Sequence, residues 1–405
     1  MINRTSYSLL LLSVMGAFWL PSATAGQWDF DGQASLETRY FPYAPEFPSQ
    51  KNSPLSPSVT LEPEFVYELD NGNDRFTFMS FARLDADDKK RTHADLRELS
   101  WLHLGSSWDM TTGISKVYWG VTESAHLVDI INQTDAVEDI TGEDKLGQPM
   151  VNLNIEQDWG TLNLFVLPGF RERTFTANNA RLHGPLPVDS AHATFESGKK
   201  ARHIDFATRW SQTFGDVDLA ISQFIGTSRE PRLIPQLKNS QLILVPHYDL
   251  ISQTGVEFQW TTENTLWKAE GISRMGQGKQ FFATATGFEH TFYDLAERNI
   301  DIGVLLEYLY DGRDVNLAPV SIANHDIFAG FRITLNDTQD TAILFGTMYD
   351  HHTKAAFINL EAERRLTNQL KLKLNSRFIT NVPSQDPLAY FRNDDFLELK
   401  LHWFF

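Results

Sequence analysis

The chain ends on the sequence DFLELKLHWFF, residues 395–405, in which polar and apolar side chains alternate. One face of this stretch is apolar and consists of Leu397, Leu399, Leu401, Trp403 and Phe405. Glu398 and Lys400 fall on the opposite face. A period of two is typical of a β-strand with one apolar and one wet face. A strand of a soluble antiparallel sheet has the same pattern, so this stretch alone leaves both environments open.

The N-terminus has the three parts of a secretory signal peptide. Arg4 supplies the positive charge, a short apolar run follows, and Ala23-Thr24-Ala25 matches the small-residue cleavage site. We therefore expect residues 1–25 to be removed and residues 26–405 to form one domain. No later stretch approaches the ~18–20 apolar residues that a transmembrane helix needs.

The composition excludes several classes of function. The chain has no Cys, so it has no disulfides, thiolate ligands or Cys nucleophile. A formal net charge of −17 argues against nucleic-acid binding, which requires basic surfaces. The sequence also lacks a phosphate-binding Gly loop and a dinucleotide fingerprint, so we expect no cofactor.

Segments of alternating polarity, separated by turn residues, recur along the chain and predict 18 strands. Their ranges are 27–40, 58–69, 74–86, 95–106, 109–120, 147–158, 160–168, 201–214, 217–226, 251–262, 265–276, 280–292, 299–311, 326–335, 341–350, 355–366, 370–380 and 395–405. Every second connection is short, and the long ones all fall between them. The alternation fades in 95–104 and 109–119, where no face is assigned.

This segregation of loop lengths favours an all-β transmembrane barrel with antiparallel up-and-down strands. Bacterial barrels have an even number of strands, short periplasmic turns and long extracellular loops. We predict about 18 strands, with 16 as an alternative because residues 241–250 could hold a further strand. The predicted location is the bacterial outer membrane, where such a protein contacts lipid and lipopolysaccharide and is folded by the barrel assembly machinery.

A barrel of 16–18 strands leaves an aqueous channel unless something fills it. Residues 121–146 hold seven acidic side chains against one lysine, whereas residues 169–203 hold six basic side chains against three acidic ones. If both loops fold inward, they and the basic strand 370–380 would create a field across the lumen. The candidate pore residues are Glu123, Asp129, Asp135, Glu138, Arg171, Arg173, Arg83, Lys371, Lys373 and Arg377. The acidic loop could instead be solvated outside, or bind divalent cations or lipopolysaccharide.

Three other groups could carry chemistry. Ser124 and His126 are close in sequence, but a hydrolase also needs a third positioned group and an oxyanion hole. His351 and His352 would point to opposite faces of a strand, unless a turn brings them together. The acidic residues between 135 and 144 could hold Ca²⁺, although they lack the spacing of an EF-hand. We predict no catalytic residue and no metal site.

Two stretches carry a resemblance to a known family. One is LRELSWL at residues 96–102, and the other is GISKVYWG at 113–120 followed by HLVDIINQTD at 126–135. They resemble the alginate-export-like and related uncharacterised outer-membrane porin families. The terminal strand resembles the assembly signal of Gram-negative outer-membrane barrels, which makes Trp403 and Phe405 candidate assembly residues. The resemblance implies an 18-stranded monomeric barrel with inward loops, and it implies no particular substrate.

The sequence therefore favours an outer-membrane porin or substrate-selective channel for passive diffusion of small polar or charged solutes. Its expected partners are lipid, lipopolysaccharide, the assembly machinery and the solute, with no nucleic acid. One alternative is a conduit that works with an inner-membrane or periplasmic export partner. A barrel hydrolase is a further alternative, although we predict that the protein is not an enzyme.

Overall fold

The computed structural model describes residues 26–321, 324–384 and 386–405. The expected signal peptide, residues 1–25, lies outside the described residues. Short 3₁₀ helices occur at Ser190–His192, Lys200–Arg202, Leu295–Glu297 and Pro387–Phe391. Within the described ranges, no helix has the length and hydropathy required to cross a membrane.

Nearly all regular structure is β. The strands are β1 (Gln27–Tyr40), β2 (Leu55–Glu68), β3 (Asp74–Asp85), β4 (His93–Leu104), β5 (Trp108–Ser115), β6 (Gln148–Gln157), β7 (Gly160–Pro168), β8 (Thr194–Phe195), β9 (Ile204–Phe214), β10 (Val217–Thr227), β11 (Arg232–Lys238), β12 (Gln241–Tyr248), β13 (Leu250–Thr261), β14 (Thr265–Met275), β15 (Phe281–Phe292), β16 (Asp301–Asp311), β17 (His325–Thr334), β18 (Ala342–Asp350), β19 (Ala356–Arg365), β20 (Leu370–Thr380) and β21 (Phe396–Phe404).

Eighteen of these strands form one closed antiparallel barrel. Each pairs with the next along the chain, with β7 pairing to β9 and β10 to β13 where β8, β11 and β12 are left out. The barrel closes between the two ends of the chain, because β1 pairs with β21 from Tyr40 opposite Leu397 to Gln33 opposite Phe404. The prediction of an all-β barrel with 18 strands is therefore confirmed, and the alternative of 16 is not needed.

The outward faces of the strands are apolar. Leu36, Leu84 and Phe282 are 58%, 66% and 61% exposed on the outside of the closed ring. The exposed aromatic residues at the short-turn end include Trp28, Trp159, Trp260, Trp267, Phe292 and Trp403. An apolar band flanked by aromatic residues is the surface that a barrel presents to lipid and to the membrane interface.

The terminal strand β21 faces as its alternation predicts. Leu397, Leu399 and Trp403 are exposed on the outside, whereas Glu398 is buried inside the barrel. The last residue, Phe405, exchanges two backbone hydrogen bonds of 3.1 Å with Gly32 and so extends the closing seam beyond β21. The lipid environment, rather than a soluble sheet, accounts for this strand.

Two sequence predictions need correction. The strand expected at 109–120 ends at Ser115, because the chain there turns into the barrel. The long connection predicted at 227–250 contains the hairpin of β11 and β12, and β12 is the further strand considered for 241–250, although it lies outside the barrel. Strand β8 adds to β12 in parallel, and these three strands form a small separate sheet on the long-loop side.

The barrel has a hydrophobic core in its interior, in addition to the apolar band on its outer surface. It consists of Trp119, Val128, Ile130, Ile131, Met150, Phe165, Leu167, Ala207, Phe224, Ile251, Ile272, Phe281 and Ala283. The first four belong to the segment 116–147 between β5 and β6, and the rest are strand residues of β6, β7, β9, β10, β13, β14 and β15. This segment is named the inward loop, because it packs on the lumen wall rather than extending into solvent.

Candidate functional site: an inward loop and the cavity beside it

The inward loop is held together at its base by Asn132. The Asn132 Oδ1 atom accepts a hydrogen bond from the backbone N–H of Val117 at 2.8 Å. Its Nδ2 atom donates to the carbonyl oxygens of Ser115 at 3.0 Å and Leu146 at 2.9 Å. One buried side chain thus joins the start, the middle and the end of the loop.

Three carboxylates on the barrel wall bind the backbone of the loop. Glu270 Oε1 accepts the N–H groups of Val121 at 2.7 Å and Thr122 at 2.9 Å, and the Thr122 hydroxyl at 2.8 Å. Its Oε2 atom accepts the N–H of Val128 at 3.3 Å. The neighbouring carboxylate of Glu257 also accepts a backbone hydrogen bond from the loop, from the Gly120 N–H at 3.0 Å. These interactions satisfy backbone donors that the loop would otherwise bury without partners.

Glu307 extends this row to the tip of the loop. Its two oxygens accept the N–H groups of Glu123 and Ser124, each at 2.8 Å, and the Ser124 hydroxyl at 2.5 Å. Glycine is required where the row begins, because Gly120 has φ +131° and a Cβ there would lie 2.9 Å from Glu270 Oε1. This conformation is unfavourable for a residue with a side chain, and such a residue could not approach the wall so closely.

The other end of the loop is fixed to the opposite wall by ion pairs. Glu138 contacts Arg83 of β3 at 2.6 Å, and both side chains are at least 96% buried. Asp135 contacts Arg97 of β4 at 2.8 Å. The Arg39 guanidinium of β1 donates to the Glu138 carbonyl at 3.1 Å. Because β13 lies nine strands from β1 in a ring of 18, the loop crosses the bore from one side to the other.

The expectation of two charged loops facing each other across open water needs correction. The basic loop is the segment 169–203 with six basic side chains. Its Thr174 hydroxyl donates to Asp135 Oδ1 at 2.8 Å and accepts the Val137 N–H at 3.2 Å. The basic loop therefore lies directly on the inward loop, on its extracellular side. Its Arg171 is paired with Asp95 at 2.5 Å, and Arg173 lines a cavity of about 510 Å³ beside Asp135.

The other predicted pore residues fall into three groups. Asp129, Glu138 and Arg83 are nearly inaccessible, and each is ion-paired, Asp129 with Lys145 at 3.2 Å. Glu123 and Arg377 are also ion-paired, with Arg332 at 2.7 Å and Glu361 at 3.2 Å, and they line a cavity of about 420 Å³ between the inward loop and the wall formed by β17–β20. The remaining two, Lys371 and Lys373, lie on the lumen face of β20 toward the periplasmic end and share Glu363, at 2.7 and 3.6 Å.

A titratable group on the loop faces this cavity. The His126 ring bonds the Tyr118 hydroxyl at 2.7 Å through Nδ1 and lies 3.5 Å from Glu143 through Nε2. Burial lowers the pKa of His126, but the hydrogen bond to Glu143 and the nearby carboxylates outweigh it and raise that pKa overall. The same hydrogen bond lowers the pKa of Glu143. Burial, followed by Asp139 and Glu138, raises the pKa of nearby Asp144 to about 6.

The other candidate chemistries are placed as follows. Ser124 donates to Glu307 while His126 bonds Tyr118, so the serine and the histidine have different partners. His351 and His352 lie in a turn with ring centroids 3.8 Å apart, so the turn does bring them together. In the described part of the chain, no group of three or more His, Cys, Asp or Glu side chains has the arrangement to hold a metal ion.

The stretches that carry the sequence resemblance acquire physical roles. Arg97 and Asp135 form the ion pair to the wall, Trp119 enters the inner core, and Asn132 closes the base of the loop. The sequence did not reveal Glu257, Glu270 and Glu307. Each is one acidic residue on the polar face of an alternating strand, and nothing local shows that it binds a loop more than 100 residues away.

A closed, even-numbered antiparallel barrel with an apolar outer band, short turns at one end and long loops at the other is the architecture of a bacterial outer-membrane protein. No protein-family model and no curated protein matches the chain, so the alginate-export-like resemblance finds no support there.

The chain is similar in fold to several solved structures. One is a loop-deletion mutant of OmpT, an outer membrane protein of Vibrio cholerae, with 9% identity and a TM-score of 0.49. Another is the in-vitro folded trimer form of OmpT from Vibrio cholerae, with 9% identity and a TM-score of 0.47. A mutant of the Rh. blastica porin has 9% identity and a TM-score of 0.44. Each alignment covers 94% of this chain and 100% of the other.

Proposed function

We propose that this protein is an outer-membrane channel that passes small polar or charged solutes by passive diffusion. The observation that carries the proposal is the cavity of about 420 Å³ beside the inward loop. The loop packs on the lumen faces of β6–β15 and is anchored to β1, β3 and β4. It also touches the wall of β17–β20, where Glu123 pairs with Arg332 at 2.7 Å, but it leaves an open cavity beside that wall. Solute would pass through this gap.

The charged residues have separate roles in this proposal. Glu123 and Arg377 line the gap as members of ion pairs, Glu123 with Arg332 and Arg377 with Glu361, and Lys371 and Lys373 face the solute nearer the periplasm. Asp129, Asp135, Glu138 and Arg83 hold the loop in place, because their charges are paired and nearly buried. The channel is therefore narrowed by a fixed element rather than by a mobile one. Removing one partner of a buried ion pair destabilises a protein by ~3–5 kcal/mol.

Conductance measurements test this function directly. The barrel, purified in detergent and shown to be folded by its heat-modifiable migration on a denaturing gel, is added to a planar lipid bilayer. We expect stepwise current increases, each from one inserted barrel, and none from the same amount of heat-denatured protein. Folded barrels that insert into liposomes but never conduct would refute the proposal.

A further inference from the structure

The passage has an unusual wall for an aqueous channel. Residues that face a water-filled lumen are normally polar, yet β17–β19 place apolar side chains there. Phe328, Met348 and Phe357 are direct neighbours across the three strands, because the register pairs Phe328 with Met348 and Met348 with Phe357. Leu344 lies four residues before Met348 on the same face.

A glycine makes this apolar surface smooth. Gly346 lies between Leu344 and Met348, and a Cβ at this position would meet the Phe328 ring at 2.5 Å. The ring therefore lies directly against the wall. Phe328 itself is buried, and part of the patch packs on Ala125 and Leu127 of the inward loop. Leu344, Met348 and Phe357 remain half-buried and line the cavity, so the loop does not cover them.

The passage also has two accessible carboxylates, one on the loop and one on the wall. Glu143 on the inward loop is 59% exposed, and Glu361 on β19 is 43% exposed. The lining has two basic side chains. His126 is 19% exposed and pairs with Glu143, and Arg377 is only 5% exposed and is enclosed by Glu361, Asn359 and Asp139. A solute in the passage thus meets carboxylate oxygens, while the positive charge is withdrawn behind them.

We propose that the passage selects small amphipathic organic cations, in which an aromatic or branched apolar group carries an ammonium group. The apolar group would lie on Leu344, Met348 and Phe357, and the ammonium would face Glu143 and Glu361. The volume of about 420 Å³ falls in the ~300–1,000 Å³ range of small-molecule sites. The Tyr118 ring adds an aromatic face that attracts a cation. This inference rests on the proposed channel function and specifies its substrate class.

Three probes separate the two features of the site. Phenethylammonium has both the ring and the positive charge, ethylammonium has the charge alone, and phenylacetate has the ring with a negative charge. Each is titrated against the potassium current through barrels in a planar bilayer. We expect phenethylammonium to block at concentrations at least about tenfold below the other two, since a contact worth ~1.4 kcal/mol changes affinity tenfold.

Variants assign the effect to the two sides of the passage. Glu143→Gln should weaken block by phenethylammonium and by ethylammonium about fivefold, as expected for loss of roughly 1 kcal/mol. Phe357→Ser should weaken block by phenethylammonium alone, and Met348→Gln is a second test of the same surface should Phe357→Ser fail to fold. Glu156→Gln, a lumen carboxylate on the wall of β6, is the matched control and should leave all three titrations unchanged.

The outcomes distinguish this inference from the function beneath it. A folded barrel without any potassium current would overturn the channel function. A conducting barrel blocked equally by the three probes would overturn the selectivity alone. Preference for phenethylammonium that survives both Glu143→Gln and the wall variants would also overturn it, and would show that the apolar wall serves only to seat the loop.

Discussion

The substitution Glu270→Gln tests whether wall carboxylates hold the inward loop across the bore. Gln has the same shape as Glu but no charge, and it replaces one acceptor oxygen with a donor. The four bonds at stake reach the Val121, Thr122 and Val128 N–H groups and the Thr122 hydroxyl, at 2.7 to 3.3 Å. The change therefore removes charge and one acceptor while keeping the packing.

The expected effect follows from the strength of these bonds. A hydrogen bond to a charged group contributes ~1.5–3 kcal/mol, against ~0.5–1.5 kcal/mol for a neutral one. Three bonds weaken by about 1 kcal/mol each, and the fourth is lost because the new NH₂ faces the Val128 N–H. The free energy that favours the docked loop then falls by about 4 kcal/mol. This change raises the undocked population roughly a thousandfold.

Single-channel recording measures that population. Undocking widens the bore, so we expect Glu270→Gln to show frequent excursions to a higher conductance that the wild type rarely visits. The control is Glu156→Gln, in which a lumen carboxylate without a bond to the loop is neutralised; its trace should match the wild type. If folded Glu270→Gln barrels conduct as quietly as the wild type, the carboxylate row does not position the loop.

Three further predictions use the same preparations. Gly120→Ala should undock the loop through its φ of +131° and its 2.9 Å approach to Glu270, which limited proteolysis of the folded barrel would detect as new cleavage in the loop. Because the pKa of His126 is raised, its positive charge persists at low pH and is lost as the pH rises through that pKa. Cation preference, read from the reversal potential in a KCl gradient, should therefore rise with pH in the wild type and less so in His126→Gln, which retains Asp144. Deleting Phe405 should lower the folded fraction on a heat-modifiability gel, whereas the barrels that do fold should conduct normally.

The strands could be predicted because lipid and water impose a local pattern. Each of the 18 predicted segments overlaps an observed barrel strand, since every strand needs an apolar face outward. Some strands are apolar on both faces, because their lumen face packs on the inner core. In β7, Leu164 and Val166 face outward while Phe165 and Leu167 face the inner core, so both faces are apolar.

The alternation of polar and apolar residues fades in 95–104 because β4 contains a bulge. The register of β3 and β4 slips between Met79 and Ser80, which leaves Arg97 as an extra residue on β4. A bulge re-aims a side chain, and here it directs Arg97 at Asp135 of the loop. The acidic character of the loop was visible in the sequence, but its arginine partners are distant in the chain. The charge counts therefore suggested an acidic and a basic loop facing each other across the lumen. In the structure, many of these charges are instead neutralised in ion pairs.

A loop fixed at both walls also acts as a transverse strut. Asp135 and Glu138 tie it to β3 and β4, and Glu270 and Glu307 tie it to β14 and β16 on the far side. Such a brace resists flattening of the barrel under lateral pressure from the bilayer, so the cross-section is set by the loop as well as by the number of strands. Excising the loop, or releasing it by substitution at its anchors, would thus alter the roundness of the barrel together with its bore.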